Sequence, residues 1–274
     1  MTAPQYDDLL ELATRLACES GELVRGKLGQ IAVYIKPDTS VVTDTDHRIQ
    51  DQIVRTIRQQ HPDHAIVAEE GAEGDAALPH PARAEFCWVI DPLDGTRNFT
   101  AGLPCFCTSI GILRQGLPVV GVVVEHNLGI VYRAAVGAGA MCNGRAIAVR
   151  ELPPELDRLV GIPSGKDWVS LRVIQAWCGI ENLAFRNLGS TAWHLALVAS
   201  GALQATFMQR CKIWDLAAGV LLVQEAGGVV SDARGATLLP FDLARDMQDD
   251  LPCLAGTPPT HAALLPTVRR TCGD

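Results

Sequence analysis

Apolar positions along this chain repeat with two different periods. Leu9, Ala13, Leu16, Ala17, Ser20 and Val24 step at the i, i+4, i+7 spacing of an amphipathic helix with acidic residues near its start, which predicts a helix from about Tyr6 to about Lys27. Ile31 to Ile35 is a short apolar stretch. Lys36 to His47 (KPDTSVVTDTDH) is polar at both ends with two valines between, and reads as a loop or hairpin entering a second helix. That helix carries Ile49, Ile53 and Ile57 on its apolar face, and Thr43, Asp44, Thr45 and Asp46 all stand where caps belong, so spacing alone favours capping as the role of Asp46. His61-Pro62 ends the helix. Ile66 to Ala68 then form a strand that delivers Glu69 and Glu70 at its end, and Gly71 to Glu85, rich in Gly, Ala and Pro, reads as a surface loop.

Trp88, Val89 and Ile90 lead into Asp91 as a buried strand would, and Pro92, having no N–H to give, is expected to stop the ladder there. Asp94 follows, Gly95 can adopt the positive φ of a sharp turn, and Thr96 is the expected first residue of a short helix. Thr108 to Leu113, Val119 to Glu125 and Ile130 to Ala135 are strand-like runs separated by RQGLP and HNLG, which predicts antiparallel hairpins. Gly137, Gly139 and Gly144 thin the pattern out before ELPPELD, so the expected division falls between a unit of residues 1–148 and one of residues 149–274. The second unit alternates: strand Leu159 to Ile162, helix Trp168 to Cys178, strand Ala184 to Asn187, helix Ala192 to Ser200, strand Ala205 to Phe207. A further helix is opened by Asp215, continues through Leu216, Val220, Val223 and Gln224, and is closed by Gly227-Gly228. Such alternation predicts layered α/β structure.

Composition narrows the partners. The 274 residues include 23 basic and 31 acidic side chains, a net charge of −8, which argues against a nucleic-acid polymer or an anionic membrane as the main partner. The N-terminus lacks a basic region followed by an uninterrupted apolar one, so no signal peptide is expected, and no apolar run approaches membrane-spanning length. Nine cysteines without a CxxC pair fit buried, reduced thiols better than zinc or a disulfide framework, and the cytoplasm is the expected compartment.

The chemistry lies in acids placed at the edges of apolar segments. Trp88 to Phe99 reads WVIDPLDGTRNF; by itself it reads first as a strand followed by an Asx-type turn. Ala65 to Gly71 (AIVAEEG) and Ile213 to Gly219 (IWDLAAG) repeat the arrangement, and three such edges point to one acidic site. Glu69, Asp91, Asp94 and Asp215, if they converge, would repel one another and raise one another's pKa unless cations neutralise them. Mg²⁺ prefers such oxygen ligands, and two metals about 3.5–4 Å apart can generate hydroxide at neutral pH and clamp both oxygens of an in-line displacement at phosphorus.

Glu69-Glu70, the DPLDGT of Asp91 to Thr96, and WDLAAG followed by EAGG (Trp214 to Gly219, Glu225 to Gly228) resemble the inositol monophosphatase family of magnesium-dependent, lithium-sensitive phosphatases. VVTDTD (Val41 to Asp46) and GSTA (Gly189 to Ala192) extend the resemblance over nearly the whole chain. It implies an α/β (α+β) fold, a five-layer αβαβα sandwich of the inositol monophosphatase and fructose-1,6-bisphosphatase type, usually a homodimer. It implies two or three Mg²⁺ ions per site, one held by Glu69, Asp91 and the Leu93 carbonyl and a second by Asp91, Asp94 and Asp215. Asp46 and Thr96 would orient the attacking water, completing with Glu69 the catalytic set, and Glu70 would be an outer acidic neighbour. The substrate, a small phosphate ester, would meet the metals and the N–H groups of Gly95 and Thr96, with Gly189, Ser190 and Thr191 along its alcohol side. Ser190 as a helix cap is compatible with that role.

One position departs from the pattern. Inositol-preferring members carry a Glu seven residues before the last metal-binding Asp, to accept hydrogen bonds from ring hydroxyls, and this chain has Met208 there. The expected reaction is hydrolysis of a small polyol phosphate, inositol monophosphate by family default. Fructose 1,6-bisphosphate, 3′-phosphoadenosine 5′-phosphate and histidinol phosphate are the alternatives, and a catalytically silent binding module the non-enzymatic one. Arg210 and Lys212 stand near Met208 in sequence, as partners for a second anionic group or as solvated loop charges.

Overall fold

The computed structural model describes residues 4–30, 33–35, 41–71, 79–153, 155–163, 167–247 and 249–272. Ile31, the start of the Lys36 to His47 segment and most of the expected loop after Gly71 lie outside the described residues. In chain order the elements are α1 (Asp7–Val24), β1 (Val33–Ile35), β2 (Val41–Thr43), α2 (Asp44–Gln60), β3 (Ala65–Ala68), β4 (Phe86–Asp94), α3 (Thr96–Ala101), β5 (Cys107–Arg114), β6 (Leu117–Glu125), β7 (Ile130–Ala135), β8 (Gly139–Cys142) and β9 (Arg145–Ile147). They continue with β10 (Arg158–Gly161), α4 (Trp168–Trp177), β11 (Leu183–Arg186), α5 (Thr191–Ala199), β12 (Ala205–Met208), α6 (Ile213–Glu225), β13 (Val229–Ser231), β14 (Cys253–Gly256) and α7 (Pro258–Cys272).

Strand alternation sorts these elements into layers. The larger sheet has the order β3-β4-β5-β6-β7-β8-β9, with only β3 and β4 parallel, and the smaller the order β11-β10-β12-β14-β13. On β4, Trp88 and Ile90 face one core with Leu16 of α1 and Ile49, Ile53 and Ile57 of α2, while Cys87 and Val89 face a second core with Leu195 of α5 and Leu216 and Val220 of α6. Met208 and Cys253 of the smaller sheet close that second core from the far side, while their neighbours Phe207 and Leu254 turn to a third, with Trp177 of α4 and Leu264 of α7. The result is five layers, helices, sheet, helices, sheet, helices, because each sheet is apolar on both faces and requires a helical layer on each.

The middle layer approaches the larger sheet closely because small residues meet there. A Cβ on Gly111 of β5 would come within 2.7 Å of the Ala217 Cβ, and one on Gly121 of β6 within 2.6 Å of the Ala218 carbonyl oxygen. Gly219, on another side of α6, leaves room for Leu195, whose Cδ1 lies 2.5 Å from where its Cβ would stand. Ala217 and Ala218 of the WDLAAG segment therefore seat the start of α6 on β5 and β6, and its Gly219 lets α6 close on α5. Glu225 of the EAGG segment is likewise structural, its carboxylate accepting from the N–H groups of Gly137 and Gly139, each at 2.8 Å.

Three expectations are corrected. β4 does not stop at Pro92 but runs to Asp94 across a bulge, because the ladder with β5 resumes once the proline is passed. Asp215 is the third residue of α6 rather than its opening cap, which is Lys212. The cysteines are all free thiols as expected, but Cys18 and Cys178 are exposed.

Candidate active site

The bulge on β4 builds the site. Asp91 pairs with Ser109 and Asp94 with Cys107, so Pro92 and Leu93 oppose the single residue Thr108. Asp91 and Asp94 are thereby presented together at the strand end, and Gly95, at φ 98°, turns the chain into α3. The start of α6 brings in Asp215, and carboxylate oxygens of Asp91, Asp94 and Asp215 lie within 4.8 Å of one another. Glu69, following β3, closes the group: its side chain hydrogen-bonds that of Asp91, and its charge raises the pKa of both Asp91 and Asp215.

Burial is the first cause of the high pKa of Asp91, and the charges of Glu69, Asp94 and Asp215 add to it. Asp215 is pushed well up by burial and then by Asp94 and Glu69, against the Lys212 N–H that donates to its Oδ2 at 2.7 Å. Asp94 is raised by burial to about 6, although three hydrogen bonds favour its charged form. Its Oδ2 accepts from the Ser190 hydroxyl at 2.7 Å and from the Ala192 N–H at 2.6 Å, and the Thr191 N–H also donates to the carboxylate. Asp94 thus sits as an anion at the N-terminus of α5, where the helix dipole favours it.

Asp46 and Thr96 meet beside this cluster. Asp46 is fully buried, and its Oδ2 accepts from the Thr43 N–H at 2.9 Å, completing a capping box at the start of α2, so the capping role read from spacing is real. Its other oxygen is 3.0 Å from the Thr96 hydroxyl, which also lies 2.9 Å from the Leu93 carbonyl oxygen. Burial raises the Asp46 pKa, and the Thr43 and Thr96 hydrogen bonds pull it back.

On the far side of Asp94, a cavity of about 170 Å³ is bordered by Gly189, Ser190, Thr191, His194, Met208 and Arg210. Ser190 borders it, holds Asp94 and caps α5 through the Trp193 N–H at 3.3 Å. Met208 is 6% exposed and stands in the cavity wall, so the thioether occupies the side of the site where the resemblance places the alcohol. Arg210 and Lys212 are both drawn to Asp250, at 3.6 and 3.0 Å, and Arg210 is 71% exposed, which leaves the pair weakly placed to hold a second phosphate.

Several residues that shape the site went unread in the sequence. Gln50 accepts from the Glu70 N–H at 3.0 Å and donates to the Gly71 carbonyl at 3.1 Å, pinning the turn that carries Glu69. Its signal was present: Asp46, Ile49, Gln50 and Ile53 share one helical stripe, and a polar residue inside a buried stripe needs partners. Asn98 donates to the carbonyls of Cys105 at 2.6 Å and Leu188 at 2.7 Å, while His194 accepts from the Leu188 N–H at 3.1 Å. Gly189, at φ +68°, has no side chain to strike Asn98, whose Nδ2 would lie 2.7 Å from a Cβ there.

Asp91, Asp94 and Asp215, whose charged forms burial disfavours first, form with Glu69 an all-oxygen donor set that suits hard divalent cations, since a cation can replace the protons. Such a centre at the strand ends of a layered α/β fold, beside a carboxylate-hydroxyl pair and a small cavity, defines a metal-assisted hydrolase. Residues 5–271 match the profile of the inositol monophosphatase family. The inositol-1-monophosphatase of Mesorhizobium japonicum is 31% identical over 275 residues, with 96% of each chain covered. That of Synechocystis is 35% identical, with 81% of this chain and 78% of the relative covered. The solved structure of the Thermotoga maritima IMPase superposes with a TM-score of 0.85 at 29% identity, covering 97% of this chain and 98% of the other. The chain belongs to the inositol monophosphatase family, and is a hydrolase of phosphate monoesters.

Proposed function

We propose that this protein is a Mg²⁺-dependent phosphatase acting on inositol monophosphate, with Glu69, Asp91 and the Leu93 carbonyl holding one ion and Asp91, Asp94 and Asp215 a second. The observation that carries the reading is the convergence of Asp91, Asp94 and Asp215 within 4.8 Å beside the Asp46–Thr96 pair. When bound, Mg²⁺ supplies Lewis-acid stabilisation of the phosphoryl oxygens and a lowered pKa for water. The rest falls to the chain. Thr96 has one hydroxyl proton; directed to Asp46, it leaves the oxygen's lone pairs free to accept a hydrogen bond from the attacking water. Asp46, with its pKa raised by burial, is the stronger base for drawing that proton along. The N–H groups of Gly95 and Thr96 seat the phosphate, while Gly189, Ser190, Thr191 and Met208 border the alcohol. Residues 1–148 supply most of the ligands, and residues 149–274 supply Asp215 and the alcohol side.

A cytoplasmic homodimer belongs to the same reading. Nine free thiols fit a reducing compartment, and Trp168 and Leu171, 79% and 47% exposed on one face of α4, are apolar surface that a second copy would cover. Among the described residues no helix is long and apolar enough to cross a membrane. Phosphate release with Mg²⁺ from inositol 1-phosphate, fructose 1,6-bisphosphate, 3′-phosphoadenosine 5′-phosphate and histidinol phosphate tests the reading. Inositol 1-phosphate is expected to be hydrolysed with the highest kcat/KM, and release from a bisphosphate alone would overturn it.

A further inference from the structure

The bulge that presents Asp91 and Asp94 has a cost that two residues outside the site meet. In the stretch between the paired residues Asp91 and Asp94, the peptide joining Pro92 to Leu93 has left the ladder. Its N–H donates to Asp91 Oδ1 at 3.0 Å, and its carbonyl accepts from the hydroxyl of Thr108, the residue opposite the bulge, at 2.8 Å. A peptide unit is planar, so a bond that fixes the carbonyl also fixes the N–H that grips Asp91. Thr108 is itself fixed. It is fully buried, and its oxygen lies 2.8 Å from Nε2 of His126, in the turn after β6. A carbonyl can only accept, so the single Thr108 proton goes to Pro92, and His126 must donate from Nε2. The bare Nδ1 of that tautomer faces α1 at Gly21, where a Cβ would come within 3.1 Å of it. Burial lowers the His126 pKa to about 4, so the ring is neutral near pH 7 and its one proton sits on Nε2.

We infer that Thr108 and His126 are positioning residues for the metal centre: the His126 to Thr108 to Pro92 chain of hydrogen bonds sets the peptide that orients the Asp91 carboxylate. The inference rests on the reading of Asp91 as a metal ligand. Neither side chain hydrogen-bonds a carboxylate of the cluster, and each acts through the backbone of the bulge. Groups that orient a ligand in this way govern metal affinity by about 10-fold or more.

The test is calorimetric titration of the metal-stripped protein with Mg²⁺, with melting recorded on the same samples. Thr108→Val keeps the shape and removes the hydroxyl, and should weaken Mg²⁺ binding about 10-fold. Thr108→Ser keeps the hydroxyl and should restore near-normal affinity. His126→Phe should weaken binding in the same direction, and the double variant should be no weaker than Thr108→Val alone, because both act through one bond. Wild-type affinity in Thr108→Val, whatever its melting temperature, would overturn the inference, as would a Thr108→Ser variant as weak as Thr108→Val. If Thr108→Val does not fold, His126→Phe decides, and unchanged affinity there counts against the inference. A wild-type protein that takes up no Mg²⁺ removes the metal reading and the inference with it; wild-type binding matched by every variant removes the inference alone.

Discussion

Asp94→Asn should make the metal-free protein more stable while loosening its hold on metal. The Asp94 carboxyl is moved from its ordinary 3.8 to about 6 in the folded protein, a rise that remains after the hydrogen bonds from Ser190, Ala192 and Thr191 have pulled the other way. Such a shift corresponds to a penalty of about 3 kcal/mol on the folded state. The sign follows from linkage: a carboxyl whose folded pKa is raised holds its proton longer in the native state, so the penalty is absent below pH 3.8 and complete above about pH 6. Asn keeps an oxygen for Ser190 and Ala192 and cannot ionise. In EDTA at pH 7.5 the variant should therefore gain up to about 3 kcal/mol, roughly 2–4 °C of melting temperature per kcal/mol, and near pH 4 the gain should vanish. Mg²⁺ at about 1,000 times the wild-type Kd should reverse the order, since it adds about 4.1 kcal/mol to the protein that binds it. Melting curves of both proteins, with EDTA and with Mg²⁺ at the two pH values, are the assay. A variant less stable than wild type in EDTA at pH 7.5, or a gap that does not change with pH, would refute the reasoning.

Thr96→Ala should lower turnover by roughly 10²-fold with Mg²⁺ affinity nearly unchanged, the scale of lost water positioning; stability lowered by about 1 kcal/mol with normal turnover would make Thr96 structural only. Apparent Mg²⁺ affinity, measured by calorimetry between pH 5 and 8, should rise with pH as Asp94 passes about 6 and as Asp91 and Asp215, both raised well above the usual carboxylate range, lose protons to the metal; an affinity independent of pH would contradict that linkage. Met208→Glu should raise the kcat/KM ratio of inositol 1-phosphate over glycerol 2-phosphate by about 10-fold or more, the worth of a charge-assisted hydrogen bond of about 1.5–3 kcal/mol, and an unchanged ratio in a folded variant would show that residue 208 does not meet the alcohol.

Periodic segments were legible without a structure: Ile49, Ile53 and Ile57 announce α2, and the runs around Ile110, Val122 and Tyr132 announce the antiparallel part of the larger sheet. β8 and β9 were missed because Gly139 and Gly144, both at positive φ, break the alternation in strands of only four and three residues. α7 opens on Pro258-Pro259 and contains Pro266, residues that read as helix breakers, so local chemistry concealed what packing against α4 enforces. The acidic cluster was legible because each member borders an apolar run in the sequence. Its roles came from the resemblance. What no local pattern could disclose were the partners of polar side chains, Gly71 for Gln50 or Pro92 for Thr108, for they depend on which elements become neighbours.

Bound metal at Asp91, Asp94, Asp215 and Glu69 is proposed to make this protein a phosphatase. Phosphate released from inositol 1-phosphate by a preparation verified as metal-free, then titrated with Mg²⁺, tests it most directly. No release is expected before the titration and saturable release after it; full activity in the metal-free preparation would rule out a metal-dependent reaction.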